Sequence, residues 1–122
     1  MMYESGEDYL EAILMIQEQN GAARSIDVAR KLNVSKPSVS RAMGILREGG
    51  FVEFSETGEL VLTQSGLEKA KMIYGRHVLL TKFLQKITGV SFDQAEENAC
   101  RIEHDVDEDI VHGIECWMAV NP

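Results

Sequence analysis

Apolar residues recur at helical spacing through most of the chain, and the interruptions divide it into elements. Tyr9, Leu10, Ile13, Leu14 and Ile16 form one stripe, predicting a helix over 6–19 that Asn20-Gly21 stops. Ser25 is placed to N-cap a short helix over 26–32, with Asp27 in its first turn and Ile26, Val28, Ala29 and Leu32 apolar. Asn33-Val34 makes a tight connection, and Ser35 caps a third helix over 36–48. Pro37 falls in that helix's first turn, where a missing N–H is harmless. Val39, Met43 and Leu46 supply its buried side, and Gly49-Gly50 ends it. The pattern then turns β-like over 51–55 and 59–63, two runs flanking Glu56-Thr57-Gly58, which is a hairpin signal.

From Thr63 the helical period returns. Leu67, Ala70, Ile73, Val78, Leu80, Phe83, Leu84 and Ile87 predict a long helix to about residue 88, with Gly75 as a place to bend and Gly89 as its end. Ser91 with Gln94 makes a capping-box pattern that opens a helix over 92–104. A last helix over 107–118 carries Ile110, Val111, Ile114, Trp117 and Met118 on one side.

Three helices and a hairpin, with a three- or four-residue connection between the second and third helices, form a winged helix-turn-helix. The expected fold is therefore mainly α: a winged helix-turn-helix over 1–63, followed by a helical dimerisation domain over 64–122. In such a unit the second helix braces the third, whose leading residues enter a major groove about 12 Å wide. Here those residues are Ser35, Lys36, Pro37, Ser38, Ser40 and Arg41. The small side chains allow approach to base edges, while Lys36, Arg41 and Arg47 meet phosphates. The wing over 55–58, with Ser55 and Thr57, reaches backbone or minor groove, and Glu56 and Glu59 make it a weak contributor. A winged helix used for protein contacts is the competing reading.

Composition at first opposes a nucleic-acid partner. The 122 residues carry 12 Lys+Arg against 20 Asp+Glu, a net charge of -8. Its distribution reverses the inference. Residues 1–23 carry -5, residues 24–50 carry +4, residues 51–89 carry +1 and residues 90–122 carry -8. A basic block that coincides with the predicted DNA-reading helices sits between acidic ends. At 44% hydrophobic and 26% charged the composition is globular, with no apolar run long enough for a membrane span and no signal-peptide pattern, so a cytoplasmic protein is expected. Cys100 and Cys116 are too few for a disulfide scaffold and read as reduced thiols, with Cys116, next to Trp117, as a buried packing thiol.

The acidic ends also carry candidate chemistry. Asp8 and Glu11 are i, i+3 on the first helix, and Cys100, Glu103 and His104 are i, i+3, i+4 on a later one, each set on one face. His77 stands apart in the long helix, next to Arg76. Thiolate, imidazole and carboxylates are the set a transition-metal ion recruits, and the mixture leaves the metal open among Mn²⁺, Fe²⁺, Co²⁺ and Zn²⁺. Each residue also has a plain structural explanation: a surface or core His, a small buried thiol, or acids that favour a helix N-terminus.

Five segments together resemble the diphtheria toxin repressor/manganese transport regulator family of metal-activated transcriptional repressors. They are Glu7-Asp8-Tyr9-Leu10-Glu11-Ala12-Ile13; Val34-Ser35-Lys36-Pro37-Ser38-Val39; Gly58-Glu59-Leu60-Val61-Leu62-Thr63-Gln64-Ser65-Gly66; Arg76-His77-Val78-Leu79-Leu80; and Ile102-Glu103-His104. The resemblance covers nearly the whole chain, in order, and is to the short members without an SH3-like third domain. It implies metal ligation by Asp8, Glu11, His77, Cys100, Glu103 and His104, binding of double-stranded operator DNA, and a homodimer built on the helices after the wing, where Ile110, Ile114 and Trp117 are candidate contacts. The implied cofactor is Mn²⁺ or Fe²⁺, with Zn²⁺ or Co²⁺ as substitutes in vitro; no membrane or small-molecule substrate is expected. The chain mixes the family's branches. Cys100 is similar to the iron-responsive pattern and Asp8 to the manganese-selective one, while Thr81 stands where iron-type members carry a glutamate ligand.

The alternatives are a metal-independent winged-helix regulator, and a small metalloenzyme using Cys100, Glu103 and His104 around a bound water. A catalytic site needs an open position and a general base. A chain mostly allotted to DNA-reading and dimer helices leaves little for a substrate pocket, so no enzyme is expected.

Overall fold

The computed structural model describes residues 6–122; Glu4, one acid of the N-terminal block, lies outside them. Six helices and one two-stranded sheet follow in the order α1 (Gly6–Asn20), α2 (Ser25–Leu32), α3 (Lys36–Glu48), β1 (Val52–Phe54), β2 (Leu60–Leu62), α4 (Gln64–Thr88), α5 (Phe92–Ile102) and α6 (Glu108–Val120). They divide into two compact units, residues 1–71 and 72–122, with α4 running from the first into the second.

In the first unit Leu10 and Ile13 of α1, Val28 of α2, Val39 and Met43 of α3, and Val52 and Leu60 of the hairpin are all buried. These are the stripe positions of the sequence, and their burial fixes three helices and a wing around one core. Asn33 takes the left-handed conformation, φ 56°, and its N–H bonds back to Ala29 O, which permits the short α2–α3 connection. Ser35 caps α3 as expected, its Oγ accepting from Ser38 N at 3.2 Å. The cap of α2 falls one residue earlier than expected. Arg24 holds the extended N-cap conformation and its N–H donates to Asp27 Oδ2 at 3.0 Å, so Ser25 is the first helical residue. The carboxylate three positions into the helix decides the boundary, because it satisfies the cap N–H that a Ser hydroxyl does not reach.

The hairpin is antiparallel in the register Val52↔Leu62, Glu53↔Val61 and Phe54↔Leu60. Gly58, φ 85°, closes the turn by donating to Ser55 O at 3.0 Å. Leu60 N also donates to Ala23 O at 2.8 Å, joining the wing to the loop before α2.

In the second unit α4 remains helical through Gly75, and α5 is N-capped by Ser91, whose Oγ accepts from Gln94 N at 3.2 Å. The helix ends at Ile102, two residues before its expected end. Asp105 N closes a tight turn on Ile102 O at 3.0 Å, and the Arg76 side chain takes the carbonyl oxygens of Glu103 and Val106, at 3.1 and 2.9 Å. Glu103 is therefore the C-cap of α5 and His104 lies in the turn beyond it, so Cys100, Glu103 and His104 do not share one continuous helix.

Candidate metal centre and DNA-reading face

On α4 the buried stripe Ile73, His77, Leu80 and Thr81 places an imidazole where an aliphatic side chain would be ordinary. Its Nδ1 lies 2.8 Å from Glu103 Oε1 and 3.6 Å from Cys100 Sγ, and its Nε2 lies 3.1 Å from Glu96 Oε2. One imidazole thus faces two carboxylates and a thiol. Those contacts push the His77 pKa from 6.5 up to about 11, the Cys100 hydrogen bond acting most strongly, then that of Glu103, with burial opposing and Glu96 adding to the rise.

Glu103 is 1% exposed, unusual for a carboxylate. Its Oε2 receives no hydrogen bond among the described residues and lies 3.4 Å from His104 Nε2. A buried carboxylate oxygen without a donor calls for a cation. His77, Cys100 and Glu103 can each turn a donor atom to within 4.8 Å of the others, so the set fits a divalent transition-metal ion. Glu96, on the far side of the ring, orients His77 in the carboxylate–imidazole–metal manner. Arg76 holds the turn carrying Glu103 and His104, anchored in addition by Glu108 Oε1 at 2.7 Å from Nη2. Thr81 donates to His77 O at 2.7 Å. Asp8 and Glu11 lie one turn apart on α1, in the first unit, with Glu11 buried and Asp8 half-buried.

On α3, Lys36, Pro37, Ser40 and Arg41 are exposed, while Ser35 Oγ donates to Ser38 Oγ at 2.9 Å. Arg47 is exposed and its guanidinium lies 5.8 Å from the Phe54 ring centroid, a cation–π contact from the end of α3 to the wing. At the wing tip Ser55 and Thr57 hydroxyls are 3.1 Å apart, and Arg24 Nη1 donates to Thr57 O at 2.7 Å. Ile110 and Trp117 on α6 are exposed and Ile114 is half-buried, with Trp117 set edge-on to Phe83, centroids 5.7 Å apart.

Two family models match in the same order as the units. The model described as "Iron dependent repressor, N-terminal DNA binding domain" matches residues 1–60, and "Iron dependent repressor, metal binding and dimerisation domain" matches residues 63–119. The HTH-type transcriptional regulator MntR of Shouchella clausii is 36% identical over 110 residues, 90% of this chain and 76% of the relative. The chain belongs to the iron dependent repressor family.

Its fold agrees with solved members. T. acidophilum IdeR superposes with a TM-score of 0.88 at 28% identity, over 98% of this chain and 56% of that one. A manganese-dependent transcriptional repressor in complex with manganese also gives 0.88 at 28% identity, over 94% of this chain and 53% of that one. The chain therefore spans about half the length of these solved relatives. Members of this repressor family are transcriptional regulators that pair a DNA-binding domain with a metal-binding and dimerisation domain, and the His77–Cys100–Glu103 cluster, with His77 and Glu103 buried and Cys100 exposed, falls in the second.

Sequence reasoning missed Glu96 and the bracing role of Arg76. Glu96 precedes Cys100 by four residues and Glu103 by seven, so extending the helical spacing one turn back would have found it. Arg76 gives no such signal, because its partners are backbone carbonyls 27 and 30 residues away. Cys116 is corrected: it is exposed, because α6 buries only Val111 among its residues and turns Cys116 outward, so it does not pack in the core.

Proposed function

We propose that the chain is a metal-activated repressor that binds double-stranded operator DNA as a homodimer and senses Mn²⁺ or Fe²⁺ to control metal-homeostasis genes in the cytoplasm. The observation that carries this reading is the buried, donor-poor Glu103 carboxylate beside His77 and Cys100. Asp8, Glu11 and His104 complete the proposed ligand set, as the resemblance implies. When bound, the ion would supply positive charge to the clustered carboxylates in place of the His77 proton. Cys100 would hold it from α5, Glu103 from the C-cap of that helix and His77 from α4, with Glu96 keeping the imidazole turned toward it. Ser35, Lys36, Pro37, Ser38, Ser40 and Arg41 read or grip the major groove, with Arg47, Ser55 and Thr57 on the backbone; Ile110, Ile114 and Trp117 contribute to the dimer surface. The division proposed for these roles is 1–63 for DNA and 64–122 for metal and dimerisation. No catalytic step is assigned.

Metal activation is a population shift, so the ion must bind the DNA-competent state more tightly, and operator DNA must tighten metal binding by the same factor. The test selects duplexes from a random-sequence pool with protein in Mn²⁺, in anaerobic Fe²⁺ and in chelator, then measures affinity for the selected DNA in each. Affinity at least tenfold higher with metal is expected. Equal affinities in metal and in chelator would make this a metal-independent regulator.

A further inference from the structure

α6 carries the third histidine and the second cysteine, neither of which belongs to the centre above. His112 Nε2 lies 3.7 Å from Cys116 Sγ, and His112 Nδ1 lies 4.0 Å from Glu115 Oε1. The ring therefore stands between a carboxylate and a thiol, as His77 stands between Glu96 and Cys100, where the nitrogen–sulfur separation is 3.6 Å. We infer that His112 and Cys116 form a separate surface site for a zinc-class divalent ion, with the Glu115 carboxylate adding negative charge beside the ring.

The separation is the bite of such an ion. Zinc–sulfur and zinc–nitrogen bonds of about 2.3 and 2.1 Å meeting at a tetrahedral angle place the two donors about 3.6 Å apart. The i, i+4 spacing on α6 holds them there without rearrangement of the backbone. Side-chain exposures of 79% at His112 and 61% at Glu115 leave the remaining positions open to water. One thiolate and one imidazole favour Zn²⁺ over Mn²⁺, which prefers oxygen donors. The site also lies apart from the apolar side of its helix. At 3.6 residues per turn, His112 and Cys116 stand about 200° and 240° round from Ile110, whereas Ile114 and Trp117 fall within about 40° of it. Two donors and open water positions make it the weaker of the two centres.

The chain has two cysteines, so removing Cys100 isolates the other. Co²⁺ is titrated into Cys100→Ala protein, and a thiolate-to-cobalt charge-transfer band is expected. It should vanish in Cys100→Ala/Cys116→Ser and need at least tenfold more Co²⁺ in Cys100→Ala/His112→Ala. In the otherwise native dimer, Cys116→Ser should lower Zn²⁺ binding by one equivalent per chain and leave Mn²⁺ binding unchanged. Circular dichroism checks that each variant is folded. No band in folded Cys100→Ala, an unchanged cobalt requirement without His112, or a full zinc complement in Cys116→Ser would each overturn the assignment.

Discussion

The polar groups around the His77 ring favour the imidazolium: Cys100 and Glu103 at Nδ1 and Glu96 at Nε2. The rise in pKa from 6.5 to about 11 fixes the sign of two effects. The stabilisation that the protonated ring gives the folded chain is complete below pH 6.5 and is lost as pH rises through about 11. A ligating imidazole must give up its proton, so loading the proposed centre through His77 releases that proton, and apparent metal affinity rises with pH across the neutral range. Calorimetric titration of Mn²⁺ in buffers of different ionisation enthalpy should therefore show at least one proton released per ion at pH 7, and the His77 ring resonance of the metal-free protein should not titrate between pH 5 and 8. A ring titrating near 6.5 would mean that the cluster does not hold the imidazolium. The residues that produce this behaviour were only partly legible. Cys100, Glu103 and His77 have the right chemistry at readable spacing, but which nitrogen faces which group depends on how α4 and α5 pack, and no spacing within one helix encodes that.

At the scale of elements the sequence carried more. Helix stripes and caps located all six helices to within a few residues; in α1 and α3 the stripe is also the buried face on which the helix depends, whereas α6 keeps the helical spacing with only Val111 buried. The failures lie at ends set by distant groups, such as α5, which stops where Arg76 takes the carbonyl oxygens of the following turn. The start of α4 shows a similar dependence. Thr63 N donates to Phe51 O at 3.1 Å, and a Cβ on Gly66 would stand 2.0 Å from that same oxygen. Alanine at this position would gain about 1 kcal/mol in helix propensity, against a backbone overlap costing about 3 kcal/mol or more. The clash wins. Gly66→Ala should thus lower the urea midpoint of the first unit, with operator binding weakened through the displaced hairpin. A midpoint at or above that of the native protein would show that α4 shifts freely off Phe51.

For the whole molecule, charge decides where DNA is met. A net charge of -8 repels a polyanion at long range, yet residues 24–50 carry +4 and expose Lys36, Arg41 and Arg47 on or beside the leading helix. At physiological ionic strength screening acts over about 8 Å, so the local block governs contact while the acidic remainder is muted. Part of that acidity is structural: Glu103 and Glu96 surround His77, and Glu108 anchors Arg76. The basic block implies a measurable salt dependence. Each phosphate contact contributes a slope of about -0.9 to log affinity against log salt. Arg41→Ala should weaken binding to all duplexes by a similar factor and make the slope shallower by about 1. Loss confined to one operator sequence, with the slope unchanged, would instead make Arg41 a reader of bases. Arg41 is charged and exposed one turn into α3, and the phosphate role is the one we propose for it.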